Sequence, residues 1–385
     1  VHILIAPDSF KGSLSAKEAS ENIAAGIRQV FPDAVTVLLP VADGGEGTAD
    51  AVLAALGGRK EQRVVTGPYG KKTQASFAVL DGGDVVIECA SAVGLTLTRP
   101  EERMIMEATS FGLGELIRYA LDFKPPHLYI GLGGSATNDA GAGMAQALGA
   151  KITDANGREI ASGAKGLKDA AHVGLNGLDG RLRETQVCII SDVDNPLCGP
   201  LGASAVYGAQ KGAAEAEIAL LDAYLARFAR IAGEAAGMRC EDEKGAGAAG
   251  GLGWALMAFA RGTVRSGIDF MLDLLNFDAR AREADIVFTG EGKIDAQSAY
   301  GKVLSGIGRR AKAAGKPVIA LGGIVEPGAA EALEKMGVTA LESTYTMPCE
   351  LDEAMRRAPE RLRLAAARAA QMIKIGMLKE KRNCE

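Results

Sequence analysis

The sequence predicts an α/β protein of two domains, one of them a parallel sheet assembled from both ends of the chain. At 385 residues the chain exceeds the usual size of a single core. Its first stretch alternates strand and helix, and the strands are nearly continuous apolar runs, the pattern of a parallel sheet covered on both faces. That rhythm stops after Gly67 and returns at Ala284. Two strands alone make a marginal sheet, so strands from the C-terminal end must complete it. The expected division is therefore residues 1–67 plus 285–385 as one discontinuous domain, with 68–284 as an inserted mixed α/β domain.

VHILIAP reads as a buried strand that runs into DSFKGSL and then a helix. Ser15 and Glu18 form a capping box, and Ile23, Ile27, Val30 and Phe31 follow at helical spacing. AVTVLLPVA (34–42) is a second buried strand; DGGEGT leads from it into the helix ADAVLAAL, which Gly57 and Gly58 stop. In the insert, TQASFAVL and GDVVIECA flank a DGG hairpin turn. PHLYIGL is a strand entering the glycine-dense stretch GLGGSATNDAGAGM (131–144), which opens a helix. QVCIIS (186–191) is a strand entering DVDNPLCGP. Residues 215–236 form an amphipathic helix with Ile218, Leu221, Leu225, Phe228 and Ile231 on one face. DIVFTG (285–290) is a strand ending in EGKIDAQS. The helix GIGRRAKAAG, the strand PVIALGG (317–323), the strand VTALEST and one closing amphipathic helix from LDEAMRR onward complete the chain. The charged tail KEKRNCE is expected to fray.

Composition narrows the function. Net charge is −5 with a pI near 5.5, which argues against nucleic-acid binding and against a basic membrane surface. No apolar run approaches ~18 residues, and VHILIAPDSF lacks the basic flank of a signal peptide. The six cysteines show no CxxC spacing, so a reduced, cytoplasmic setting is expected. The three histidines have no catalytic neighbour in sequence, which leaves acid–base chemistry to carboxylates or lysine.

In a doubly wound sheet the strand C-termini form the ligand crevice. Here those ends carry Asp8, Ser9 and Lys11, then Asp43 and Glu46, then Glu291, Lys293 and Asp295, then Gly322 and Gly323. Caps and turns account for Ser9 or Asp43 singly. They do not account for three strand ends that combine glycines with acids and a lysine. In the insert, Gly131, Gly133 and Gly134 allow close backbone approach to an anion at a helix N-terminus. Ser135, Thr137 and Asn138 add donors, and Asp139 is placed to cap the helix or hold a metal. Asp192 and Asp194, two residues apart after a strand, point the same way and suit a hard cation such as Mg²⁺. No GxxxxGK[ST] occurs. The one GxGxxG (Gly245, Gly247, Gly250) follows CEDEK rather than a strand, which argues against a dinucleotide site. A phosphate cradle, a magnesium pair and a carboxylate–lysine crevice together describe phosphoryl transfer, in which the protein mainly positions groups and neutralises charge.

APDSFKGSLSA, LPVADGGEGT, IGLGGSATNDAGAGM, DVDNPLCGP, QKGA, GAGAAGGLG and TGEGKIDAQSAYGK closely resemble the bacterial glycerate kinase type 1 family, in order and spacing, from residue 1 to roughly 345. The resemblance implies phosphorylation of D-glycerate by ATP with Mg²⁺, usually at the 2-hydroxyl to give 2-phosphoglycerate. It also implies a flavodoxin-like, Rossmann-like domain from the two chain ends beside the inserted domain. Transfer to the 3-hydroxyl or to a related hydroxy acid is the nearest alternative; a non-catalytic binding protein and an NAD-dependent oxidoreductase are more distant ones. Chemistry placed on these motifs has Gly133, Gly134, Ser135, Thr137 and Asn138 cradle ATP phosphates. Asp192 and Asp194 hold Mg²⁺, with Glu291 as a further ligand. Lys11 neutralises the glycerate carboxylate or the transferring group. Asp8, Asp43 and Asp295 compete to orient or deprotonate the hydroxyl, and Asp295 is favoured because its loop carries Gly292 and Lys293. The family often has arginine at Lys293, and lysine keeps the charge but loses the bidentate fork. Lys211 in GAQKGA is placed to reach a phosphate, though a lone lysine is more often solvated. The partners expected are D-glycerate and ATP, in a monomer or homodimer.

Overall fold

The computed structural model describes residues 1–41, 47–295, 298, 303–347 and 349–383, with backbone alone from 378. The chain forms two compact units, Val1–Asp43 with Ile268–Glu385, and Gly44–Gly267. The described strands are β1 (His2–Ile5), β2 (Val35–Leu38), β3 (Arg59–Thr66), β4 (Lys72–Val79), β5 (Val85–Glu88), β6 (His127–Gly131), β7 (Lys151–Thr153), β8 (His172–Gly174), β9 (Gln186–Ile190), β10 (Thr263–Arg265), β11 (Ile286–Ile294), β12 (Val318–Val325) and β13 (Ala340–Ser343).

The first unit is a five-stranded sheet in the order β2-β1-β11-β12-β13, parallel throughout. Ranked within the sheet this is 2-1-3-4-5, the flavodoxin order. His2 and Ile3 sit opposite Val35 and Thr36 on one side, and Ile3 sits opposite Ile286 on the other. The C-terminal strands thus complete a sheet that β1 and β2 could not form alone. The helix Ala16–Val30 starts on the expected capping box: Glu18 N–H donates to Ser15 Oγ (3.2 Å) and Ser15 N–H to Glu18 Oε2 (2.9 Å). Its apolar face, Ile23 and Ile27, packs with Ile3, Ile5, Phe288, Leu362 and Ala366 into one core. It crosses the helix Ala358–Asn383 closely enough that a Cβ on Gly26 would lie 2.2 Å from the Arg363 carbonyl oxygen.

Three details differ from expectation. β2 is not buried. It is the sheet edge, with β1 as its partner, and Val35 is 50% exposed. The closing helix is two helices, Leu351–Arg356 and Ala358–Asn383. The break falls at Arg357, and Pro359, the second residue of the new helix, has no N–H to donate back to the preceding turn. Finally, β3, expected with the first unit, pairs with β4 in the second sheet, and the unit boundaries fall at Asp43/Gly44 and Gly267/Ile268 rather than at 67/68 and 284/285. RKEQRVVT is a charged edge strand, which an apolar-run criterion passes over.

The second unit has a six-stranded sheet, β10-β9-β6-β5-β4-β3, and a separate β7–β8 pair. β3, β4 and β5 form an antiparallel meander; β5, β6, β9 and β10 run parallel. The helix Glu215–Ala236 buries Leu221, Leu225 and Phe228. Phe228 meets Trp254 edge-on at 5.9 Å between ring centroids, inside the core. No described helix is long and apolar enough to cross a membrane.

Candidate active site

In the first unit, the C-terminal ends of β1, β11, β12 and β13 open onto a cavity of about 710 Å³. It lies at the switch point, where the chain runs from β1 to β2 on one side and to β11 on the other. Asp8, Ser9 and Lys11 line it from the loop after β1, and Glu291, Lys293 and Asp295 from the end of β11. Glycines permit the close passage: a Cβ on Gly323 of β12 would lie 2.3 Å from the Gly292 carbonyl oxygen. Asp8 is buried, and its Oδ1 accepts the Ser9 N–H at 2.6 Å. Glu291 is buried and accepts from Ser298 Oγ, which also accepts the Asp295 N–H (3.1 Å). Lys293 reaches Glu326 Oε1 at 2.7 Å and Asp295 Oδ2 at 3.4 Å. The bond to Glu326, then that to Asp295, raises its pKa above the ordinary lysine range. Lys11 is exposed at the rim. The structure therefore brings Asp8, Lys11, Glu291 and Asp295 to one cavity. Asp43, the remaining acid expected there, lies outside the described residues, as does Glu46.

In the second unit, the loop after β6 divides into two parts. Gly133 and Gly134 are exposed, with Gly134 at φ +73°. Ser135, Thr137 and Asn138 are buried and turned into the protein. Asn138 Nδ2 donates to Ser204 Oγ (2.9 Å), and Thr137 Oγ1 makes a long contact to the Ala249 carbonyl (3.5 Å). Asp139 accepts from Ser110 N–H (2.8 Å), Ser110 Oγ (2.9 Å), Gly141 N–H (3.2 Å) and Gly143 N–H (3.3 Å). Burial raises its pKa against the opposing pull of those bonds. Asp139 thus caps the turn into the short helix Ala142–Ala147. The glycines of GAGAAGGLG serve close packing: Gly250, at φ +70°, would place a Cβ 2.0 Å from the Thr137 carbonyl oxygen.

β6 and β9 are adjacent and parallel, so the glycine loop and the SDVD turn leave the same edge of the sheet. Asp192 and Asp194 are both exposed. Asp192 Oδ1 accepts the Gly267 N–H (2.8 Å), and Asp194 Oδ2 pairs with Lys244 Nζ (2.9 Å). Glu88, at the end of β5, shares this edge and accepts the Ala49 N–H at 2.9 Å. Burial raises its pKa.

Two cations sit in places that were hard to foresee from the chain alone. Lys211 is not solvated. It is 3% exposed beneath the glycine loop, and its Nζ donates to the Thr137 carbonyl (2.7 Å) and Ser135 Oγ (3.2 Å). Burial pulls its pKa down to about 8. The only trace in sequence is the glycine pair flanking GAQKGA. Arg361 lines the cavity of the first unit at 5% exposure, its guanidinium 6.0 Å from the centroid of the Tyr345 ring. In sequence it is one of many arginines on the closing helix.

The whole chain has clear relatives. A model of the glycerate kinase family matches residues 3–374. A glycerate kinase of Bacillus subtilis is 44% identical over 374 residues, which cover 97% of this chain and 98% of that protein. A glycerate 2-kinase of Escherichia coli is 45% identical over 376 residues, with 97% and 98% covered. A crystal structure from Salmonella typhimurium LT2, provisionally named glycerate kinase 2, superposes with a TM-score of 0.89 at 43% identity, covering 98% of this chain and 99% of that one. A family match across nearly the full length, on a two-unit α/β fold shared with a solved relative, decides the point: the chain belongs to the glycerate kinase family and is a phosphotransferase.

Proposed function

We propose that this enzyme transfers the γ-phosphoryl group of ATP, with Mg²⁺, to the 2-hydroxyl of D-glycerate, giving 2-phosphoglycerate and ADP. The observation that carries the reading is the shared edge of the second sheet, where an exposed glycine pair over a buried lysine sits beside two exposed aspartates. Backbone N–H groups at Gly133 and Gly134 would receive phosphate oxygens. Mg²⁺ usually keeps several waters and is held by one or two carboxylates together with substrate phosphates. Two exposed carboxylates on one turn, Asp192 and Asp194, fit that demand. Each already gives one oxygen to a protein donor, so contact through water fits better than a closed cage. Bound Mg²⁺ would neutralise charge developing on the phosphate oxygens.

The cavity of the first unit takes the acceptor. Asp8 and Asp295 are the carboxylates placed to orient the 2-hydroxyl and accept its proton, and Glu291 is held by Ser298 beside them. Lys11, exposed at the rim, suits the transferring phosphoryl group better than a buried carboxylate. The choice of the 2-hydroxyl rests on the name of the Escherichia coli relative.

A ³¹P NMR spectrum of the product from D-glycerate, ATP and Mg²⁺ tests activity and regiochemistry together. Phosphate on C2 couples to one proton and gives a doublet. A triplet would place the phosphate on C3, and absence of a phosphoglycerate signal would defeat the reading.

A further inference from the structure

The arginines of the C-terminal helix differ in what holds them. Arg357 pairs with Glu360 (3.1 Å), Arg363 donates to Asn22 Oδ1 (3.1 Å), and Arg368 pairs with Glu342 (2.7 Å). All three are more exposed than Arg361. Arg361 is the buried one, yet its guanidinium has no hydrogen bond or ion pair among the described residues. Its contact is with the Tyr345 ring, at 6.0 Å to the centroid, a distance at which an arginine and an aromatic face attract. Two further features make this position costly for a cation. A largely buried cation that meets cavity solvent and no described counter-ion gives up part of its hydration without replacement. Arg361 also lies in the first turn of a 26-residue helix, where the helix dipole favours anions and opposes cations.

A cavity-facing guanidinium kept under those conditions is built for an anion that arrives from outside. We propose that Arg361 binds the carboxylate of the hydroxy-acid acceptor, and so selects acids over neutral polyols. This rests on the reading of the first unit's cavity as the acceptor site. The planar fork of arginine matches a carboxylate with two parallel N–H···O bonds. The rest of the cavity chooses between a carboxylate and a nucleotide's phosphates. Asp8, Glu291 and Asp295 line the same space, and three carboxylates repel a triphosphate. A small hydroxy acid complements them: one negative end for Arg361, and hydroxyl donors for the aspartates.

The test compares wild type with Arg361→Met and Arg361→Lys by steady-state kinetics with D-glycerate and with glycerol, which lacks the carboxylate. The expected result in Arg361→Met is a KM for D-glycerate raised roughly 30-fold or more, the scale of losing one side of a buried charged pair. Its kcat and its KM for ATP stay near wild type, and the preference for D-glycerate over glycerol collapses. Arg361→Lys keeps the charge without the fork and shows a smaller rise in the same constant; it carries the test if the methionine variant does not fold. Thermal stabilisation by D-glycerate alone, present in wild type and weakened in Arg361→Lys, reads the same contact without turnover. Unchanged KM for D-glycerate in both variants overturns the proposal, as does a rise confined to the KM for ATP, which would give the cavity to the nucleotide. Wild type that makes no phosphoglycerate would defeat the proposed reaction instead, and the thermal shift would then decide Arg361 on its own.

Discussion

Lys211 is a buried ammonium whose charge is balanced by oxygen dipoles of the loop above it. Burial depresses its pKa from an ordinary 10.5 to about 8. Between those values the unfolded chain binds more protons than the folded one, so stability rises with pH across that window. The same titration removes a positive charge from under the glycine loop. The KM for ATP is therefore expected to rise as pH passes about 8, and Lys211→Met should raise it at neutral pH and abolish the inflection. ATP saturation curves on both sides of pH 8 check this; an identical inflection in the variant would assign the titration to another group. Asp139 is the acceptor that holds the loop's far end. Asp139→Ala strands the donors of Ser110, Gly141 and Gly143 and should cost about 3 kcal/mol in urea unfolding. A loss below about 1 kcal/mol would mean that water replaces the carboxylate.

At the scale of elements, two glycine-rich segments of the second unit are packed backbone to backbone. A methyl at position 250 would meet the Thr137 carbonyl at 2.0 Å, so Gly250→Ala should displace the 133–138 loop. It is expected to raise the KM for ATP and to lower stability by about 2–3 kcal/mol. Gly199 is the control. It has a similar φ of +90° but open space around its Cβ position, so Gly199→Ala carries only the backbone strain of about 1–2 kcal/mol. Equal effects of the two changes on ATP affinity would show that the loop does not depend on this contact. The SDVD turn separates stability from chemistry in the same way. The Asp194–Lys244 pair is exposed and worth less than about 1 kcal/mol. Asp194→Asn should leave unfolding nearly unchanged while lowering kcat and raising the Mg²⁺ concentration needed for half-maximal rate. Wild-type metal titration in this variant would remove Asp194 from the metal.

At the scale of the molecule, each unit has its own sheet and core, but only one is continuous in sequence. A fragment of residues 44–267 contains all six strands of the second sheet and is expected to fold alone, giving a dispersed amide NMR spectrum. A fragment of residues 1–267 adds only β1 and β2 of the other sheet. Its first 43 residues are expected to stay disordered, because two strands without β11 cannot bury the faces of Ile3 and Ile5. Protease resistance of those residues in the longer fragment would contradict this.

Apolar runs, capping pairs and glycine turns are local, and what depends on them was legible before any fold was known. The strand–helix rhythm, the Ser15–Glu18 cap and the loops at strand ends are present at the predicted places. The gathering of Asp8, Lys11, Glu291 and Asp295 followed from one rule, that ligands sit at strand C-termini. Tertiary structure decided everything that depends on which side of a residue meets another element. The charged β3 joins the second sheet because β4 offers it a partner, and the apolar β2 is half exposed because it is the edge strand, with no described strand beyond it. Ser135, Thr137 and Asn138 read as donors to a ligand, yet they point inward and hold the loop. Lys211 and Arg361 were indistinguishable from solvated cations in the sequence. Long side chains are usually exposed, and only the packing of distant segments around these two removes them from water.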